Sequence, residues 1–143
     1  MATVNSYLTF NGNTEEAFNF YKSVFGGDFT YLGRFKDMPA DENCPPPSED
    51  EGNRIMHVSL AISKETILMG SDSTSFSGDV TFGNNFFFFF NTNSKEEADK
   101  LFNGLSANGT IIMPMEKTFW GAYFGMFTDK FGINWMVNFD EVQ

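Results

Sequence analysis

The sequence predicts an α+β fold of two β-α-β-β-β modules, whose curved mixed sheets surround a cavity and carry their helices on the outer face. Three observations lead there. Phe10-Asn11-Gly12-Asn13-Thr14 is echoed 80 residues later by Phe90-Asn91-Thr92-Asn93-Ser94. After one inserted residue, Lys95, the echo continues from Glu15-Glu16-Ala17 to Glu96-Glu97-Ala98. A repeat this long is too large for a solenoid unit and marks two supersecondary modules. In each copy a β-rich run meets a polar turn, an amphipathic helix and further strands. Neither half is large enough to bury a core alone, whereas 143 residues fit one compact domain. Residues 1–143 are therefore expected to form a single domain of modules 1–72 and 84–140, joined by a Ser/Gly-rich linker at 73–83.

The elements follow in order. Residues 4–10 read as a strand by their β-branched and aromatic content. Asn13 followed by Glu16 resembles a capping box, and Ala17, Phe18, Tyr21, Val24 and Phe25 form an apolar stripe at helical spacing. Gly26-Gly27 ends that helix, and residues 28–35 return as a strand. Residues 36–53, rich in proline and acid, read as a long exposed loop. Its place beside the strand carrying His57 suggests either a flap that orders over a ligand or an insertion without a role. Residues 54–63 and 66–71 are two strands, and 72–84 a polar link. The second module opens with a strand at 85–91. Ser94 with Glu97 forms a capping box, and Ala98, Leu101, Phe102 and Leu105 make the inner face of a helix. Strands are expected at about 110–113, 121–128 and 133–139, with a turn at Asp129-Lys130-Phe131-Gly132.

Composition narrows the function classes. A formal charge of −10 argues against a nucleic-acid partner, because phosphate contacts need clustered Lys and Arg. It would suit a cationic ligand. The single cysteine, Cys44, permits no intrachain disulfide, and the acids around it give no reason to expect a catalytic thiol. No apolar run approaches a membrane span, and the N-terminus shows no signal-like core, so a soluble cytoplasmic protein without a membrane partner is expected. Nineteen phenylalanines exceed what a core of this size needs and must line a core, a cavity or an interface. Phe86 to Phe90 read as a strand buried on both faces, with alternate rings, Phe86 and Phe88, available to a ligand.

His57 is the only histidine. Strand alternation places Met56, Val58, Leu60 and Ile62 on one face and His57, Ser59 and Ala61 on the other. His57 is either a hydrogen-bonded structural residue or a ligand contact and general acid/base. Arg34, sharing a face with Thr30 and Leu32, could hold a ligand anion or pair with a neighbouring acid. Tyr7 and Tyr123 offer phenols, Trp120 a lid or interface anchor, Met69 and Met136 a soft cavity wall, and Asn134, with Asn138, amide hydrogen bonds. Asp129 reads as a turn residue accepting backbone hydrogen bonds.

Two β-α-β-β-β modules of this length resemble the vicinal oxygen chelate superfamily, which includes glyoxalase I, extradiol dioxygenases and the bleomycin- and fosfomycin-resistance proteins. The PhnB-like branch is more similar still. The likeness rests on Phe10-Asn11-Gly12-Asn13, Ala17-Phe18, Phe20-Tyr21 with Val24-Phe25-Gly26-Gly27, and Met56-His57. It continues through Leu68-Met69-Gly70-Ser71-Asp72, Phe119-Trp120-Gly121 and Asp129-Lys130-Phe131-Gly132 to Trp135-Met136. Where Lys130 stands the branch usually has proline, a departure that alters turn rigidity. The resemblance implies a two-fold homodimer. In the superfamily's enzymes it also implies one divalent ion held by His and Glu side chains.

The matching positions here fall at about Ser6, Met69, Phe86 or Phe87, and Met136, and a one-residue slip in the first strand offers only Asn5 or Tyr7. A hydroxyl, two thioethers and a phenyl ring make no site for a hard ion or for zinc or iron. No metal and no other cofactor is therefore expected. Some relatives carry a demethylubiquinone methyltransferase label, but the chain has no strand leading into a glycine-rich turn that would seat a nucleotide-like methyl donor. Three functions stay open. The first is a metal-independent small-molecule-binding protein, and the second a lyase or isomerase using His57 as acid/base. The third is a dimeric scaffold with a filled cavity.

Overall fold

The computed structural model describes residues 2–39 and 47–141. The chain divides into two compact units, Met1–Val80 and Thr81–Gln143, each a four-stranded mixed sheet with a helix on one face. Neither sheet closes into a barrel, and the β-α-β-β-β order expected from the repeat is present in both. Among the described residues no helix is long and apolar enough to cross a membrane.

The first unit runs β1 (Ser6–Phe10), α1 (Thr14–Phe25), β2 (Phe29–Arg34), a 3-10 turn (Phe35–Asp37), a helical turn α2 (Glu49–Gly52), β3 (Ile55–Ala61) and β4 (Ile67–Asp72). The sheet order is β1-β4-β3-β2, with β1 parallel to β4 and the other pairs antiparallel. Ala17, Phe18 and Tyr21 of α1 are fully buried against Leu8, Phe10, Val58, Leu60 and Leu68. Close approach here depends on Gly70. A Cβ at that position would lie 2.7 Å from Phe18 Cε1 and 2.8 Å from the Leu8 carbonyl. Gly26 and Gly27 end α1 with φ of 78° and 79°, a left-handed geometry that side chains resist.

The start of α1 differs from expectation. Asn13 makes no side-chain cap. The helix is instead capped from a distance by Asp72, the last residue of β4, which the sequence suggested was the first of a polar link. Its Oδ1 accepts hydrogen bonds from Gly12 N (3.1 Å), Thr14 N (3.0 Å) and Thr14 Oγ1 (2.6 Å), and its Oδ2 accepts one from Ile55 N (2.8 Å). One carboxylate thus satisfies the orphan donors of a helix start and a strand start together.

The segment at 36–53 is more structured at its ends than an exposed loop. Ser48 caps α2 by accepting from Glu51 N, and the acids read as solvating charge form a favourable first helical turn. Asn53 is held by Arg34 Nη1 (2.8 Å to its carbonyl) and Lys36 Nζ (3.0 Å to Oδ1), while Glu51 accepts from Ser75 N. Residues 40–46, including Cys44 and the middle of the suggested flap, lie outside the described residues.

The second unit runs β5 (Phe88–Asn91), α3 (Lys95–Ser106), β6 (Thr110–Lys117), β7 (Ala122–Thr128) and β8 (Asn134–Asp140), in sheet order β5-β8-β7-β6. Ser94 Oγ accepts from Glu97 N (3.0 Å), but Glu97 reaches back to Asn93 N (2.9 Å), so the box closes one residue earlier than its usual form. Ala98, Leu101, Phe102 and Leu105 are buried as expected. Phe102 meets Phe127 edge-on at 5.1 Å and lies over Gly125, as Phe18 lies over Gly70 in the first unit. Asp129 closes the β7–β8 turn, accepting from Phe131 N and Ile133 N, and also holds Trp135 Nε1 at 2.9 Å.

Two expectations need correction here. β6 continues past Met113 to Lys117, because an edge strand tolerates Pro114 without losing a ladder bond. The phenylalanine run is not buried on both faces. β5 is an edge strand, Phe86 precedes it, and only Phe87, Phe88 and Phe90 are half-buried. A helix covers one face alone.

Candidate functional site

In the first unit, alternation sends Leu8, Phe10, Val58, Leu60 and Leu68 toward α1. The opposite face, which no helix of this unit covers, collects the chemistry. Tyr7 on β1 stands opposite Met69 on β4, Met69 opposite Ser59 on β3, and Ser59 opposite Tyr31 on β2. His57 sits among them. Its ring centroid is 5.6 Å from that of Tyr7 and 5.8 Å from that of Tyr31. Its Nε2 is 3.1 Å from Ser59 Oγ and its Nδ1 3.4 Å from Tyr7 Oη. In the neutral tautomer that donates from Nε2, Ser59 fixes the ring and Nδ1 faces Tyr7 as an acceptor. Tyr7 and Tyr31 are about half exposed, at 49% and 50%.

Arg34 lies elsewhere. Its guanidinium reaches the first turn of α1 and grips Glu15 with two bonds, 2.7 Å from Nη2 to Oε2 and 3.1 Å from Nη1 to Oε1. Hydrogen bonding to Arg34 holds the Glu15 carboxyl below its ordinary range and raises Arg34 in return. With Asn53 also on Nη1, the group is committed to the helix side.

In the second unit the residues divide in the same way. Tyr123, Gly125 and Phe127 face α3, with Trp135 opposite Phe127. Tyr123 donates to Asp99 Oδ1 at 2.6 Å, which pushes its phenol up to about 12, and Lys95 Nζ lies 4.7 Å from its ring centre. Phe88 packs on Trp135 (5.4 Å) and joins that side, with Phe86 beside it at 5.8 Å.

The uncovered face instead carries Phe89 opposite Met136, Met126 opposite Met136, and Phe124 opposite Asn138. Phe89 lies 6.4 Å from Phe124, and Phe124 6.4 Å from Trp120, which is 59% exposed. Asn134 is buried and fully used: it donates to the Gly83 and Phe86 carbonyls and accepts from Thr128 Oγ1. Asn138 donates to Asn91 and Asp140.

The structure therefore brings Tyr7, His57 and Met69 together on one face, and Trp120 and Met136 on another. It sets Arg34, Tyr123 and Phe88 on the helix sides. Sequence reasoning passed over Tyr31, Phe89 and Phe124. Tyr31 was legible as the residue out of phase with Arg34, but a homopolymeric run gives no phase by which to choose Phe89 over Phe88.

The donor chemistry does not fit the divalent ion of the superfamily's enzymes. The first face offers two phenols, one imidazole, a hydroxyl and a thioether, and the second thioethers, amides, rings and, at its border, the two separate carboxylates of Glu116 and Asp140. Among the described residues no three of His, Cys, Asp or Glu gather to hold a metal.

Comparison with known proteins agrees with the fold. The sequence model of the Glyoxalase/Bleomycin resistance protein/Dioxygenase superfamily matches residues 3–137. Protein YjdN of Escherichia coli (strain K12) is 33% identical over 144 residues, spanning 94% of this chain and 93% of its own. The crystal structure of protein PA1353 from Pseudomonas aeruginosa is 37% identical with a TM-score of 0.85 and covers 98% of each chain. A protein from Bacillus cereus described as a putative 3-demethylubiquinone-9 3-methyltransferase, PhnB protein, is 26% identical with a TM-score of 0.74, over 96% of this chain and 99% of that one. With two β-α-β-β-β modules, these relatives and a family match across almost its whole length, the chain belongs to the glyoxalase/bleomycin resistance protein/dioxygenase superfamily and is PhnB-like within it.

Proposed function

We propose that this protein binds a small organic molecule without a metal, through side chains on the uncovered faces of its sheets. The observation that carries the reading is His57, flanked by Tyr7 and Tyr31 on the face away from α1, with each ring nitrogen near a hydroxyl. A core histidine needs no pair of half-exposed tyrosines around it. Such a group offers apolar area with a few placed polar atoms, the usual make-up of a ligand site. Metal independence is part of the proposal and rests on the donor set. Methyl transfer is not part of it, because among the described residues no strand leads into a glycine-rich turn.

The test is a thermal-shift screen of hydrophobic, anionic and cationic small molecules against the wild type and His57→Ala. The proposal expects at least one class to stabilise the wild type, and His57→Ala to lose that shift while keeping its own melting temperature. No shift with any compound would leave a scaffold. A second reading, a lyase or isomerase with His57 as acid/base, is favoured by the Tyr7–His57–Ser59 contacts, and turnover abolished by His57→Ala would select it.

The proposal includes a cytoplasmic homodimer. The support for the dimer is exposed apolar surface on the second unit, where Ile111 and Ile112 lie on edge strand β6 and Phe119 is 97% exposed beside Trp120. Light scattering that found only the mass of one chain at micromolar concentration would refute the dimer.

A further inference from the structure

The two uncovered faces differ in charge, and the second has a selectivity that its rings alone do not supply. On β6, Glu116 stands opposite Phe124, and on β8, Asp140 stands opposite Ala122, two residues before Phe124 on the same side of β7. Cross-strand partners lie side by side, and alternate residues share a face. The aromatic row of Trp120, Phe124 and Phe89 is thus bordered by two exposed carboxylates. Neither forms an ion pair among the described residues; Asp140 only accepts from Asn138.

The unit's cations stand elsewhere. It has four lysines and no arginine. Lys95 lies over the Tyr123 ring and Lys117 pairs with Glu141, both on the helix side of the sheet, while Lys100 belongs to α3 and Lys130 to the β7–β8 turn near Phe131.

Aromatic faces carry negative charge density, and nearby carboxylates add to it without a cation to cancel them. We infer that this face takes a planar aromatic cation, stacked on the exposed indole of Trp120 and bounded by the Phe124 ring, which stands at 62° to it, with its charge toward Glu116 and Asp140. The inference rests on the small-molecule-binding reading and gives it a ligand class. Phe89 and Phe124, only 30° from parallel, continue the platform across β8, and Met136 between their strands offers a polarisable floor.

The experiment uses two probes of opposite charge, ethidium as the planar aromatic cation and 1-anilinonaphthalene-8-sulfonate as an aromatic anion. The chain has two tryptophans, Trp120 half-exposed and Trp135 buried, so quenching of the exposed indole reports this face. The inference expects saturable ethidium binding that quenches Trp120 and weakens with salt. Glu116→Gln with Asp140→Asn, both at exposed positions, should weaken it about fivefold or more without changing the melting temperature. Trp120→Ala should weaken it about tenfold. Anilinonaphthalene sulfonate binding as tightly as ethidium, or ethidium binding unchanged in the double variant, would overturn the cation assignment while leaving the binding reading intact. Binding of neither probe, with no hit in the thermal-shift screen, would overturn both.

Discussion

Asp72→Ala should be among the most damaging single substitutions in the first unit. The carboxylate is 5% exposed and accepts four hydrogen bonds, three from the start of α1 and one from the start of β3. A hydrogen bond to a charged group is worth about 1.5–3 kcal/mol, and loss of a helix cap alone costs about 0.5–2 kcal/mol. The four do not add, because the Thr14 hydroxyl can turn and water can reach part of the gap. A net loss of about 3–5 kcal/mol follows, a large share of the roughly 5–15 kcal/mol typical of a domain. Asp72→Asn keeps an acceptor for α1 but turns an amide donor toward Ile55 N, and should cost about 1.5–3 kcal/mol.

Urea unfolding followed by circular dichroism measures both variants. Hydrogen exchange localises the effect: the Gly12, Thr14 and Ile55 amides should lose protection, while the Trp135 indole, held by Asp129 in the second unit, should not. A loss below about 1 kcal/mol for Asp72→Ala, or an Asp72→Asn variant equal to wild type, would refute the reasoning.

The remaining predictions concern charge and metal. Glu15 has a folded pKa below its ordinary 4.5, so the Arg34 pair adds stability above that value and loses it as pH falls through the folded pKa. Both partners are partly exposed, so the effect is small; Arg34→Met should lower the neutral plateau of the stability curve slightly and flatten its acid limb, leaving the stability at the lowest pH unchanged. The Tyr123 phenol is raised to about 12, so its bond to Asp99 stabilises the fold below its ordinary 10.0 and is lost as pH rises toward 12. Tyr123→Phe should remove an ultraviolet tyrosinate step from that range, and an unchanged titration would contradict the assignment. Protein purified without added ions should carry far less than about one metal ion per chain by mass spectrometry, and one tightly held ion would defeat the metal-independent proposal.

The fold was readable because the repeat, the helical stripes and the glycine stop each register a local constraint that tertiary structure keeps. What escaped was long-range or phase-dependent. Asp72 looked like the start of a polar link because nothing local shows that its acceptors meet Thr14 and Ile55, far away in sequence. Ser48 and its following acids read as solvated loop because one short helical turn is too brief to show periodicity. His57 could be placed on a face by strict alternation in β3. Arg34 could be placed beside Thr30 and Leu32, but which side of the sheet meets a helix follows from packing, and Arg34 reaches Glu15 of α1. The phenylalanine run defeated phase altogether.

The central claim is that a small organic molecule binds on the face around His57 without a metal. His57 is the only histidine, so its imidazole gives a single Cε1-bound proton resonance that needs no assignment by mutation. The direct measurement is that resonance in chelator-treated protein, titrated with the compounds that stabilise it in the thermal-shift screen. The account predicts a saturable shift whose midpoint matches the stabilisation. A His57 resonance unmoved by every stabilising compound, or stabilisation that appears only when a divalent ion is restored, would contradict it.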